Sequence, residues 1–391
     1  MNEPQHQREP RRMNDLLLNN ARLVLGTEVV RGHVVVRDGR IAEIGHGTTA
    51  APGAIDLHGD LLLPGLVEVH TDNLERHVMP RPRVYFPMQS AVQSHDAEVA
   101  AAGVTTVLDA IGVGDPYGDG FRSRDQSALL EVLDRLEHAG ALRADHLIHV
   151  RCELPADNTQ ALFAPFARHR RLRLISLMDH TPGQRQWTDV EHARIYYTGK
   201  KGWTDARFDE EVRAAPERQA KHAVPNRAWF TAFAREHDVA LATHDDTTLA
   251  HVEEAHALGA SMSEFPTTME AARHARSLGL CTVAGAPNVV RGGSHSGNVS
   301  AIDLAKAGVL DALSSDYVPS SLLQAAWTLQ RDAGFSLPES VRAVSRTPAM
   351  ACGLDDRGEI AVGLQADLVR VVEVAGLPAV REVFRGGLRV A

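Results

Sequence analysis

Residues 63–77 read LPGLVEVHTDNLERH. An apolar run, Leu61 to Val69, introduced by a Pro64-Gly65 turn, ends on a histidine and then an aspartate. On an extended chain His70 and Asp72, two apart, point to the same side. They stand just past the buried stretch, where a strand opens into a loop. That is a place to hold an ion, provided other strands bring further ligands to the same rim.

Seven more strand-like runs follow. Counting 64–70, the set is completed by 104–110 (VTTVLDA), 146–152 (HLIHVRC), 172–179 (LRLISLMD), 238–243, 260–264, 280–285 and 309–315. Helical stretches separate most of them. TTLAHVEEAHALG places Leu249, Val252 and Ala255 at three-residue spacing, and PSSLLQAAWTLQ carries Leu322/Leu323 and Ala326/Trp327 four apart. Eight strands alternating with helices predict an α/β fold, a (β/α)8 TIM-type barrel over residues 63–352. The two chain ends, 14–62 and 353–391, alternate apolar and polar residues around turns such as Asp38-Gly39, which predicts one small β-sandwich domain built from both. Residues 1–13 read as a polar, disordered lead-in without a secretory signal. The stretch 181–235, rich in Arg, Lys, Trp and Tyr, is long for a connection and reads as a functional insertion over the barrel mouth.

The bulk numbers narrow the classes. The chain has 391 residues and no apolar segment near the ~20 residues of a membrane span. Its three distant cysteines argue against a disulfide framework and fit a reducing cytoplasm. A net charge of −9 argues against a nucleic-acid binder. A homo-oligomer is compatible with all of this.

In such a barrel the working residues sit at the C-terminal ends of strands. Strand one ends in His70-x-Asp72, strand three near Glu153, strand four in Asp179-His180, strand five in His244, strand six in Glu264 and strand eight in Asp316. Singly, each has an ordinary explanation, since an aspartate before a loop is commonly a helix cap; Asp245 or Asp246 reads that way, and Asp109 is ambiguous. Together they point to a metal site. Imidazole mixed with carboxylate suits Zn²⁺, Mn²⁺ or Fe²⁺, one ion or two, with Glu153 the natural bridge between two. No Walker A, G-x-S-x-G or G-x-G-x-x-G pattern occurs.

PGLVEVHTD resembles the strand-one signature of the amidohydrolase superfamily, with Asp72 where most members place a second histidine. GEIAVGLQADLVRV resembles the return of these chains to their small β domain. The resemblance implies a divalent-metal hydrolase. It assigns His244 to the strand-five histidine and Asp316 to the strand-eight aspartate, which takes a proton from water and returns it to the leaving group. It departs from the common pattern in having no lysine at a strand end, so Glu153 or His180 must serve there. Glu264 stands near the place of the strand-six histidine.

Within the superfamily HTDNLERHVMPRP, HLIHVRCEL, LMDHTPGQRQ and SMSEFPTTMEAA are most similar to the sugar-triphosphate diphosphatases of the carbon–phosphorus lyase route of phosphonate catabolism. That implies a small, strongly anionic substrate, a ribose phosphonate triphosphate, cleaved to the 5-phosphate and diphosphate. The chain has basic residues to meet it: Arg76, His77, Arg81 and Arg83 after strand one, Arg185, Lys200 and Lys201 in the insertion, and Arg291 and His295 in the glycine-rich APNVVRGGSHSGN after strand seven. The competing readings are a C–N hydrolase, cyclic amidase or deaminase, and an inactive barrel serving as a scaffold.

Overall fold

Parallel strands covered by helices on both faces read as near-continuous apolar runs, and the runs singled out above behave so. The computed structural model describes residues 15–81, 84–117, 126–294 and 297–391, with the backbone alone at 200 and 201. The expected disordered segment 1–13 lies outside these residues. The chain begins with β1 (Leu16–Val24), β2 (Val29–Arg37), β3 (Arg40–His46), β4 (Ile55–Asp56) and β5 (Leu61–Pro64). Eight barrel strands follow: β6 (Leu66–Thr71), β7 (Val104–Val113), β8 (Asp145–Glu153), β9 (Leu172–Met178), β10 (Ala240–His244), β11 (Met262–Glu264), β12 (Cys281–Gly285) and β13 (Ala312–Ser314). β14 (Leu368–Val374), β15 (Leu377–Arg385) and β16 (Leu388–Arg389) end the chain. Of the helices, α1 (Asn73–Val78) and α2 (Met88–Ala101) follow β6, α3 (Ser127–His138) follows β7, and α4 (Thr159–Phe163) follows β8. α5 (Val190–Lys201) and α6 (Asp205–Glu236) follow β9, and α7 (Leu249–Leu258) follows β10.

β6 to β13 pair in chain order, each parallel to the next. The ring is closed by a parallel bridge between Thr71 and Asp316. At this seam Thr71 Oγ1 and the Asp72 N–H donate to the Asp316 carbonyl at 2.7 and 3.0 Å, and the Asp316 N–H donates to the His70 carbonyl at 3.2 Å. Behind it the buried Glu68 carboxylate accepts from the His70 N–H at 2.6 Å and the Ser315 N–H at 2.5 Å. Closure and strand-end chemistry therefore share one stretch of backbone. The interior is filled below the rim by apolar residues from all eight strands, Val69, Leu108, Leu147, Leu174, Ala242, Met262, Val283 and Ala312 among them.

The terminal strands form a second sheet in the order β16-β15-β14-β5-β1-β2-β3. It curls until its β3 edge meets the segment before β14, where Arg40 bridges to Gln365 and the Ala366 N–H donates to the Gly39 carbonyl at 2.8 Å. The two layers expected of a sandwich are thus one sheet folded over Leu18, Val34, Leu62, Leu368 and Phe384. Its β2–β3 turn has Asp38 at φ 49° and Gly39 at φ 75°, the left-handed pair a two-residue hairpin demands.

The insertion is helical. Trp187, Tyr197, Trp203 and Phe208 pack together between α5 and α6. α6 is tied across the barrel top: Gln219 Nε2 donates to Asp179 Oδ2 at 2.7 Å, and Asn226 Nδ2 donates to the carbonyls of Leu154 and Ala156 at 2.8 and 2.9 Å. After β12 the expected glycine-rich loop is partly a helix, Ala286–Arg291, closed by Gly292 at φ 80°. Among the described residues no helix is long and apolar enough to cross a membrane.

Candidate metal centre

Three imidazoles from β6, β10 and the end of β9 meet at the rim. His70 lies parallel to His244 with ring centroids 5.4 Å apart, and His180 sits edge-on to His244 at 5.8 Å. Each has a glutamate behind it. Nδ1 of His70 and Nδ1 of His244 stand 3.0 and 3.4 Å from the two oxygens of Glu264, and Nδ1 of His180 stands 2.5 Å from Glu153 Oε2. A carboxylate accepts, so each Nδ1 carries a proton, which leaves Nε2 as the atom for a metal, the arrangement metal-binding imidazoles use. The Nε2 atoms of His244 and His180 flank one oxygen of Asp245 at 3.5 and 3.9 Å. Two groups of potential ligand atoms, His180/His244/Asp245 and His70/His244/Glu264, each lie within 4.8 Å of one another. Nitrogen mixed with carboxylate oxygen, buried and tautomer-fixed, fits a divalent cation such as Zn²⁺ or Mn²⁺.

The electrostatics agree. Burial pushes the Glu264 carboxyl up, but His70, His149 and the imidazole hydrogen bonds prevail and hold it well below the usual range. Burial outweighs Glu264 at His70 and pushes that imidazole down. Ser176 Oγ donates to Glu264 Oε2 at 2.6 Å, so the carboxylate is fully engaged. Strain marks the same rim: Asp245, Phe265 and Asp316, each just past a strand, have φ of 56°, 53° and 53°. Non-glycine residues pay for that conformation and hold it where surrounding structure imposes it.

The expected residues are distributed unevenly. His70, His180 and His244 converge. Glu153 engages His180 with both oxygens, Oε1 accepting the His180 N–H at 2.9 Å, so it orients the imidazole from behind in this arrangement. Asp72 and Asp316 reach the same rim through the seam backbone, and Asp72 Oδ2 lies 3.9 Å from Arg151 Nη1. Two readings need correction. Neither Asp245 nor Asp246 caps α7; Thr248 does, its side chain accepting from the His251 N–H. Arg185 does not face outward to a ligand: its buried Nη1 donates to Asp246 Oδ1 at 2.7 Å and to the His244 carbonyl at 2.9 Å, which anchors the end of β10. Arg76 and His77 both pair with Glu98, at 2.8 and 2.7 Å. Arg81 and Arg291 are exposed. The side chains of Lys200 and Lys201, and Arg83 and His295 altogether, lie outside the described residues. Sequence reasoning missed Asp245, Ser176, His149 and Arg151. For the last two a signal existed: HLIHVRCEL alternates polar and apolar residues, so His149, Arg151 and Glu153 share the face of Leu147, which points into the barrel.

Residues 210–390 match the sequence model of the amidohydrolase family. The chain is 45% identical over 377 residues, 96% of its length and 100% of the relative's, to the α-D-ribose 1-methylphosphonate 5-triphosphate diphosphatase of Escherichia coli strain K12. Its fold is similar to that of molinate hydrolase (TM-score 0.66, 14% identity, covering 97% of this chain and 95% of the other). It is also similar to N-isopropylammelide isopropylaminohydrolase from Burkholderia multivorans (TM-score 0.64, 19% identity, 96% and 98%).

Proposed function

The chain belongs to the amidohydrolase family, and from that premise we propose that it hydrolyses the phosphoanhydride of α-D-ribose 1-methylphosphonate 5-triphosphate, giving the 5-phosphate and diphosphate in phosphonate catabolism. What carries this reading is the 45% identity along essentially the whole of both chains to the Escherichia coli diphosphatase. The convergence of three tautomer-fixed imidazoles with Asp245 supports the metal dependence. The two solved hydrolases are alike in fold alone. Three free cysteines fit a reducing cytoplasm.

His70, His180 and His244 are the imidazole ligands, with Asp245 beside the latter two and Asp72 and Asp316 at the seam. Zn²⁺, Mn²⁺ or Fe²⁺, one ion or two, suits this set, and when bound it acidifies water and draws charge from phosphoryl oxygens. Glu264 and Glu153 fix the rings. The Asp316 carboxylate takes the proton of the attacking water and delivers it to the departing diphosphate, so one P–O bond forms, one breaks and the proton is conserved. α6, tied over β8 and β9, keeps bulk water from the reacting anhydride. For phosphoryl transfer, positioning and charge stabilisation supply most of the rate.

The test is ³¹P NMR of the purified protein with the ribose triphosphate, with and without a chelator. Diphosphate and the 5-phosphate should appear, and chelation should stop them. A metal-loaded sample that leaves the triphosphate intact refutes the activity; turnover indifferent to the chelator refutes the metal dependence.

A further inference from the structure

A triphosphate must be held by cations, yet several of the basic residues after strand one and in the insertion are already committed inside the chain: Arg76 and His77 to Glu98, Arg185 to Asp246. One cation stands elsewhere. Arg151 lies on β8 two residues before Glu153, on the barrel-facing side, opposite Gly112 of β7 and Ser176 of β9. It is 8% exposed. Among the described residues its close carboxylate is Asp72, and the 3.9 Å between Nη1 and Oδ2 is longer than a hydrogen bond. Its Nε is buried with no hydrogen-bond partner among the described residues.

A buried guanidinium with unsatisfied donors is costly, and proteins keep one where an anion completes it. Here the carboxylates around it are spoken for: Glu264 by imidazoles and Ser176, Glu153 by His180. The guanidinium stands near Asp72 and interacts electrostatically with His70, with its Nε left without a partner among the described residues. We propose that Arg151 is the buried anion-binding residue of the site, taking a pair of phosphoryl oxygens of the substrate and setting the preference of this barrel for polyphosphates. This rests on the diphosphatase reading above. The match is one of shape: five N–H donors in a plane reach two oxygens of one tetrahedral phosphoryl group, which a lysine cannot do. Arg151 lies on a barrel strand two residues before its end, near Asp72 of the rim.

The competing role is charge balance, a guanidinium that merely offsets Asp72. Inorganic tripolyphosphate separates the two. Parent, R151K and R151M proteins are loaded with Zn²⁺ or Mn²⁺, their metal content is measured, and tripolyphosphate is titrated in by calorimetry. At equal metal content R151M should bind roughly a hundredfold more weakly and R151K about tenfold more weakly, as loss of a charged fork and loss of its geometry imply. Affinity within twofold of the parent in either variant overturns the proposal. So does a loss that follows metal content alone. If R151M gives no folded protein, R151K decides by the same criterion. The titration needs no turnover. A protein that fails to release diphosphate refutes the activity and leaves Arg151 judged by its affinity; unchanged affinity removes Arg151 and leaves the activity standing.

Discussion

At the level of single residues, the tautomer of each rim imidazole is decided by the carboxylate behind it. Glu264 serves two rings at once and is 0% exposed, so E264Q tests the arrangement sharply. An amide offers one oxygen and one NH₂ where the carboxylate offers two acceptors, so it cannot hold both Nδ1–H groups. One ring must flip or change tautomer. Metal affinity should fall about 10- to 100-fold, the usual cost of losing an orienting partner, and a competing chelator titration reads it. Unchanged affinity would mean that Glu264 orients neither ring. The three histidines could be found in the sequence because each ends an apolar run, where an imidazole has no packing role. Asp245 could not: an aspartate in the short loop before a helix reads as part of its cap, and only coordinates show Thr248 doing that work while Asp245 adopts a left-handed backbone beside His244. Arg185 misled for the opposite reason. A basic residue in a loop looks like a ligand-binding group until its ion pair with Asp246 is seen.

At the level of elements, the eight strands were legible because burial on both faces writes each one as a run, and their ends shifted by up to three residues because apolar residues also flank the hydrogen-bonded part. What the runs conceal is chemistry facing outward. Asp109 of β7 is held between His95 of α2 and His146 of β8, at 2.7 and 2.8 Å, and His146 also reaches Asp96 at 3.3 Å. Asn73 of α1, next to Asp72, lies against His95 at 3.0 Å. This chain pins two helices to the outside of the barrel. Burial pulls the His146 imidazole down, but Asp109 and the hydrogen bonds His146 donates to both aspartates outweigh it and raise it from 6.5 to about 9. A group whose proton is held more tightly when folded stabilises fully below pH 6.5 and loses that contribution as pH rises through 9. Asp109 and Asp96, held lower than usual, lose theirs only on acidification below the ordinary carboxylate range. The parent should therefore exceed H146Q by about 3 kcal/mol near pH 6, and the gap should close above pH 9. Urea midpoints across pH 6–10 measure it, and a constant gap would show that His146 is not charged in the folded chain.

At the scale of the whole molecule, the site and the closure of the barrel are one structure. β6 and β13 come from distant parts of the chain and meet where Thr71, Asp72 and Asp316 exchange backbone hydrogen bonds, and the imidazoles of β6, β9 and β10 face each other across the same opening. A bound cation would tie strands that are not neighbours, and it would do so in the folded state alone. Stabilisation by such a ligand grows as RT ln(1 + [L]/Kd), about 4 kcal/mol at a thousandfold excess over Kd. Asp245 lies beside the Nε2 atoms of His180 and His244, with Glu264 and Glu153 behind the rings, so carboxylates crowd a rim that a cation would neutralise. Removing metal with a chelator should then abolish turnover and lower the thermal midpoint by several degrees, and Zn²⁺ or Mn²⁺ should restore both together. H244A belongs to this experiment, since His244 is common to the two groups of potential ligands at the rim. It should be folded and inactive, and its midpoint should barely respond to chelator or added metal. A variant that keeps the parent's metal-dependent shift would place the cation away from His244 and dissolve the link between the seam and the site.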